Sequence, residues 1–72
     1  PVGSYLRLAT GETGIVIKPS AENVNRPVVR LFIGPDRATL RRPRIIDLST
    51  DGKTLSFVAV PAPEQAAALA KR

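Results

Sequence analysis

The sequence predicts an all-β chain: a small barrel of about five antiparallel strands with a short C-terminal helix. Three observations carry that reading. Short runs rich in β-branched residues recur at Thr13–Lys18, Val28–Ile33 and Ile45–Leu48. Glycine, proline and Asp-Gly turn signals separate them, as at Gly34-Pro35-Asp36 and Asp51-Gly52. Helix-favouring composition is confined to the alanine-rich end, Pro63–Lys71. The predicted division is a barrel over residues 1–61 and a helical tail over residues 62–72 that packs on the barrel or on a partner.

Ser4-Tyr5-Leu6-Arg7-Leu8 opens the sheet, because Leu6 and Leu8 alternate with Tyr5 and Arg7 at the period of a half-buried strand. Thr10-Gly11-Glu12 supplies a turn in which Gly11 takes positive φ. The continuous Ile15-Val16-Ile17 places the next strand, Thr13–Lys18, near the middle of the sheet, with a bulge permitted at Gly14. Pro19 ends it, and Ser20–Asn25 is a polar surface loop where Asn23 or Asn25 can adopt a left-handed conformation.

Arg26 precedes Pro27 and is therefore biased towards extended backbone. The strand Val28–Ile33 follows, with Val29, Leu31 and Ile33 assigned to the core because Arg30 belongs to the alternate set. After the Gly34-Pro35-Asp36 turn, Thr39–Arg44 carries three arginines around Pro43, and reads as an exposed connection or a poor edge strand. Ile45–Leu48 and Lys53–Val60 are expected to form an antiparallel hairpin across Asp51-Gly52. Within the tail, Ala66, Leu69 and Ala70 are the expected packing face, while Glu64 and Lys71-Arg72 complement the helix dipole. Strands this short and this spaced match an SH3-like barrel.

Seventy-two residues with no cysteine leave a small core without disulfide support, since a chain of this length buries only roughly 60% of the surface its unfolded form exposes. A reducing cytoplasm is the expected compartment, and no apolar run approaches the about 18 residues of a membrane span. The chain begins at Pro1 without methionine, which marks it as an expected piece of a longer parent.

Composition also restricts chemistry. No histidine or cysteine is present, which excludes Ser-His and Cys-His nucleophile pairs and any zinc site built on imidazole or thiolate. The six carboxylates are scattered, and the nearest pair, Asp47 and Asp51, fits a strand end and a turn. No catalytic residue, metal or cofactor is therefore assigned to this segment. The net charge of +5, with eight arginines among the eleven basic residues, mildly favours an anionic partner. Tyr5, Phe32 and Phe57 are the only side chains able to stack a base.

The candidate anion-binding residues are Arg26, Arg30, Arg41, Asp47 and Ser49. Arg26 and Arg30 stand four apart, as do Arg37 and Arg41, and Asp47-Leu48-Ser49-Thr50-Asp51-Gly52 reads D-x-S-x-x-G. Arginine pairs with that hexapeptide resemble the ligand motif of PilZ domains, which implies guanidinium forks on the phosphates and guanine edges of cyclic di-GMP. The family's arginines lie further ahead of the hexapeptide, and its barrel runs on longer afterwards. An ordinary solvated strand face is the competing reading of Arg30.

The glycine spacing of Val2-Gly3 through Gly11, Gly14 and Val16 is similar to KOW-type barrels, which implies attachment to ribosomes or transcription complexes. A third resemblance spans nearly the whole chain. Val2-Gly3-Ser4-Tyr5-Leu6-Arg7-Leu8, Gly11-Glu12-Thr13-Gly14-Ile15-Val16, Glu22-Asn23, Asn25-Arg26-Pro27-Val28-Val29-Arg30 and Ile46-Asp47-Leu48-Ser49 look like the segment following the catalytic domain of many bacterial HD-GYP proteins. That family implies a metal-dependent cyclic di-GMP phosphodiesterase as parent. Its His-Asp pair, metal-binding histidines and Gly-Tyr-Pro motif do not occur here. The implied role is an accessory barrel whose partner is the parent's catalytic domain, with homo-oligomerisation and nucleic-acid binding as the other partner readings.

Overall fold

A computed structural model of the chain describes residues 1–66. Five strands, β1 (Tyr5–Leu8), β2 (Thr13–Lys18), β3 (Val28–Ile33), β4 (Thr39–Asp47) and β5 (Phe57–Val60), form one antiparallel sheet ordered β4-β3-β2-β1-β5. The first four strands are a meander, and β2 occupies the centre as its β-branched run predicts. The last strand returns to pair with β1, through Tyr5 with Val60 and Leu8 with Phe57. No ladder joins β4 to β5, so the all-β fold is an open sheet whose two outer strands are edges.

The sheet nevertheless wraps a core. Leu6, Leu8, Val16, Val29, Leu31 and Leu48 form a buried cluster on the inner face, with Leu40 and Ile46 of β4 and Phe57 of β5 packed against it. Both edges thus lean on the same apolar centre. The stretch between them, including the fully buried Leu48 and the half-buried Leu55, crosses the gap. On the opposite face a smaller cluster joins Phe32, Ile33 and Ala66 with Tyr5 and Ile15. Residues 64–66 make a helical turn, in which Ala66 N–H donates to the Pro63 carbonyl at 3.0 Å and Ala66 packs on the sheet as expected. The rest of the anticipated helix, Leu69 and Ala70 included, lies outside the described residues.

Two expectations are corrected. Val29, Leu31 and Ile33 are all buried as expected, but the alternation along β3 fails at its end: Phe32 is buried too and shares the outer cluster with Ile33, because the β2–β3 register shifts between Gly14–Leu31 and Thr13–Ile33 and leaves Phe32 as an extra residue. Beyond such a bulge the strict two-residue alternation changes face. It lies beside Gly14, where a Cβ would sit 2.6 Å from the Arg30 carbonyl oxygen and from Val29 Cγ1, so only glycine lets β2 and β3 approach this closely. The second correction concerns the Asp51-Gly52 hairpin, which does not form. A type I′ turn needs positive φ at both central residues. Among the described residues only Gly3, Gly11 and Arg37 have it.

Candidate functional site

Three of the five polar residues singled out by sequence, Arg26, Asp47 and Ser49, converge on the segment between β4 and β5. Its anchor is Arg26. Asn23 organises the approach, its Oδ1 accepting from Asn25 N–H at 2.9 Å and its carbonyl from Arg26 N–H at 3.0 Å. Pro27 then holds the arginine in the extended lead-in to β3. The guanidinium reaches across the gap, where Nε donates to the Leu48 carbonyl at 2.6 Å and Nη2 donates to the carbonyls of Gly52, at 3.1 Å, and Leu55. It lies over the Phe57 ring, 5.2 Å from the centroid. One fork thus binds three carbonyls of a segment with no strand partner, using charge-assisted hydrogen bonds and an aromatic face.

Gly52 is fitted tightly beneath this clamp. Its N–H donates to the Asp47 carbonyl at 3.0 Å, and a Cβ there would meet Leu48 Cδ2 at 2.9 Å and Ile46 Cδ1 at 3.0 Å. A side chain at the last glycine of the D-x-S-x-x-G hexapeptide would thus require the ends of Leu48 and Ile46 to shift.

The hexapeptide's first residues close a second contact. Asp47 Oδ1 accepts from Ser49 N–H at 2.9 Å and Ser49 Oγ at 2.7 Å, while Oδ2 accepts from Ser20 Oγ at 3.2 Å. The hydroxyls of Ser20 and Ser49 also touch. These bonds, led by the Ser49 hydroxyl and then its backbone N–H, hold the Asp47 carboxyl below its ordinary range, with smaller contributions from Ser20 and Lys18 against an opposing desolvation. An ionised carboxylate with its lone pairs occupied is a turn-closing group, unsuited to general-acid chemistry. Ser20, only 3% exposed, is the member that sequence reading missed. Its local signal was the Ser-x-Glu turn, in which Glu22 N–H donates to Ser20 Oγ.

The predicted residues thus fall into two groups. Arg26, Asp47 and Ser49 meet around the β4–β5 connection. Arg30 stands exposed in β3 opposite Ile15 and Ile45, and Arg41 is exposed on β4. Neither joins the cluster. Among the described residues no group of three His, Cys, Asp or Glu can hold a metal ion.

Beside the clamp an open groove of about 560 Å³ lies between the N-terminal segment, the β2–β3 connection and β5. Its walls are mostly apolar and include Val2, Pro19, Val24, Pro27, Phe57 and Ala59. Val2 and Val24 are 64% and 74% exposed. Among the described residues, no helix is long and apolar enough to cross a membrane. Comparison with family models, curated proteins and solved structures gives no match.

Proposed function

We propose that this chain is a non-catalytic accessory domain of an HD-GYP-type phosphohydrolase, and that it serves packing, assembly or regulation of the catalytic domain. The sequence blocks quoted above supply the family context. The observation that carries the role is the contrast between the groove and the polar cluster. A dinucleotide pocket needs convergent polar groups free to meet a ligand. Here the Arg26 fork and the Asp47 carboxylate are engaged within the chain, while Val2 and Val24 leave the groove apolar and open. A surface of that kind buries against protein.

The partner is the catalytic domain of the parent, and a second copy of this chain is the alternative occupant. Labelled chain titrated with that catalytic domain should shift the resonances of Val2, Val24 and Ala59, and Val24→Asp should weaken the interaction. Calorimetry with cyclic di-GMP should show affinity no better than about millimolar, against the micromolar range of a dedicated site. Micromolar binding lost in Arg30→Ala or Arg41→Ala would replace this reading with a PilZ-like ligand barrel. Those exposed arginines suit the test, because replacing Arg26 also removes a structural clamp.

A further inference from the structure

The β4 edge carries a charge distribution that the accessory-domain reading does not use. From residue 37 to residue 46 the chain contains Arg37, Arg41, Arg42 and Arg44 and no carboxylate. Leu31 pairs with Arg44 and Ile33 with Thr39, so residues 40–43 together face the single Phe32. Leu40 turns into the inner core at this bulge, while Arg41, Arg42 and Pro43 stand exposed at the sheet edge. Arg44 is held by Glu12, with Nη2 at 3.0 Å from Oε1 and Oε2, the only ion pair among the described residues. Among the described residues Arg37, Arg41 and Arg42 are exposed with no acidic partner, and Arg30 adds a further exposed guanidinium one strand inward.

We propose that this edge binds the phosphate backbone of double-stranded nucleic acid without reading sequence. Guanidinium groups arrayed along one edge of the sheet, from the β3–β4 turn through the bulge, suit a line of phosphates, and arginine forks bond phosphate oxygens bidentately. The aromatic side chains account for the indifference to bases. Tyr5 and Phe32 pack edge to face, 6.1 Å between centroids, and Phe57 lies under Arg26. None of the three stands on the β4 edge as a stacking platform. An acidic peptide added as a further strand suits the edge less well, because the bulge breaks the ladder at residues 40–43 and Pro43 has no N–H to donate.

The test is fluorescence anisotropy of the chain with a short mixed-sequence DNA duplex, a single strand of the same length and poly-glutamate. The duplex should bind with Kd on the order of 10 µM at about 50 mM salt, as non-specific phosphate contacts do. With about three phosphates neutralised, the log–log salt slope should be close to −3, a roughly 50-fold loss of affinity between about 50 and about 200 mM. Arg41→Glu/Arg42→Glu should weaken binding at least about 10-fold, whereas Arg41→Lys/Arg42→Lys should retain most of it. Arg7→Ala, an exposed arginine on β1, should leave it within about twofold. Thermal melts of each variant confirm that the fold persists. A flat titration at low salt, insensitivity to the double charge reversal, or equal binding of poly-glutamate would each overturn the proposal, the last in favour of an acidic protein partner. Preference for the single strand would overturn the backbone-only mode.

Discussion

Arg26 and the arginines of the β4 edge are the same residue type put to opposite uses. Arg26 stands where a nine-residue connection crosses the open side of the sheet, residues 48–56, with carbonyls that no strand can satisfy. There a guanidinium replaces a missing ladder. Arg41 and Arg42 stand on the outside of a bulge, with no carbonyl or carboxylate partner among the described residues, and their charge is left to the solvent or to a polyanion. What distinguishes them is the supply of acceptors at each place. Arginine content alone therefore says little about binding until each fork is assigned.

The sharpest way to break this comparison is to truncate both kinds. Arg26→Ala removes hydrogen bonds to Leu48, Gly52 and Leu55 and uncovers Phe57. At about 1 kcal/mol net for each charge-assisted bond, and more where a half-buried carbonyl is left unmet, the loss should be about 2–4 kcal/mol by urea unfolding. Arg26→Lys should recover only a minor part, because one ammonium cannot span three carbonyls as the fork does. Arg41→Ala and Arg42→Ala should each stay within about 0.5 kcal/mol of the parent chain. Equal effects at Arg26 and Arg41 would remove the distinction.

A smaller change of opposite sign sharpens the edge side. Arg37 has φ of 68° in the β3–β4 turn, where its N–H donates to the Gly34 carbonyl at 3.0 Å and Gly34 N–H donates to the Ala38 carbonyl at 2.9 Å. This is the left-handed position of a three-residue hairpin loop, ordinarily glycine. Arg37→Gly should stabilise the chain by about 0.5–1 kcal/mol, the relieved backbone strain outweighing the added freedom of the unfolded chain. It should also lower duplex affinity by about the share of one phosphate contact. A destabilised Arg37→Gly would mean that the arginine side chain contributes to the fold after all.

The uneven legibility of the sequence has the same origin. The limits of β2 and β3 follow from their own residues, because Pro19 ends one β-branched run and Arg26-Pro27 introduces the next. Thr39–Arg44 reads correctly as a poor edge, and it continues through Ile45–Asp47 as a single strand. The alternation that sets Phe32 apart from Ile33 fails because the Phe32 bulge is set by the meeting of two strands and leaves no mark on one. The partner of β5 is equally non-local. Asp-Gly predicts a local return to β4, whereas Leu55 and Phe57 carry the chain past the core to β1. Within the candidate site, the Asp47–Ser49 turn is local and readable. Arg26 to Leu55 and Ser20 to Asp47 span 29 and 27 residues, so they depend on the fold that brings those residues together.

The smallest expected effect tests whether that turn stabilises the connection. Asp47 is held ionised in the folded chain by Ser49, Ser20 and Lys18, below the ordinary value of 3.8. A carboxyl depressed on folding adds stability that is complete above the unfolded value. It disappears as pH falls through the lower folded value, because the unfolded chain then binds the proton more readily. Asp47→Asn keeps an acceptor but cannot ionise. The parent chain should therefore exceed Asp47→Asn in stability by a constant margin above about pH 5, and the margin should shrink below about pH 4. Paired urea titrations across that interval cancel the contribution of the other carboxylates. A margin unchanged by acid would assign the loop's stability to the Arg26 clamp and to packing at Gly52, and reduce the D-x-S turn to a contact of shape alone.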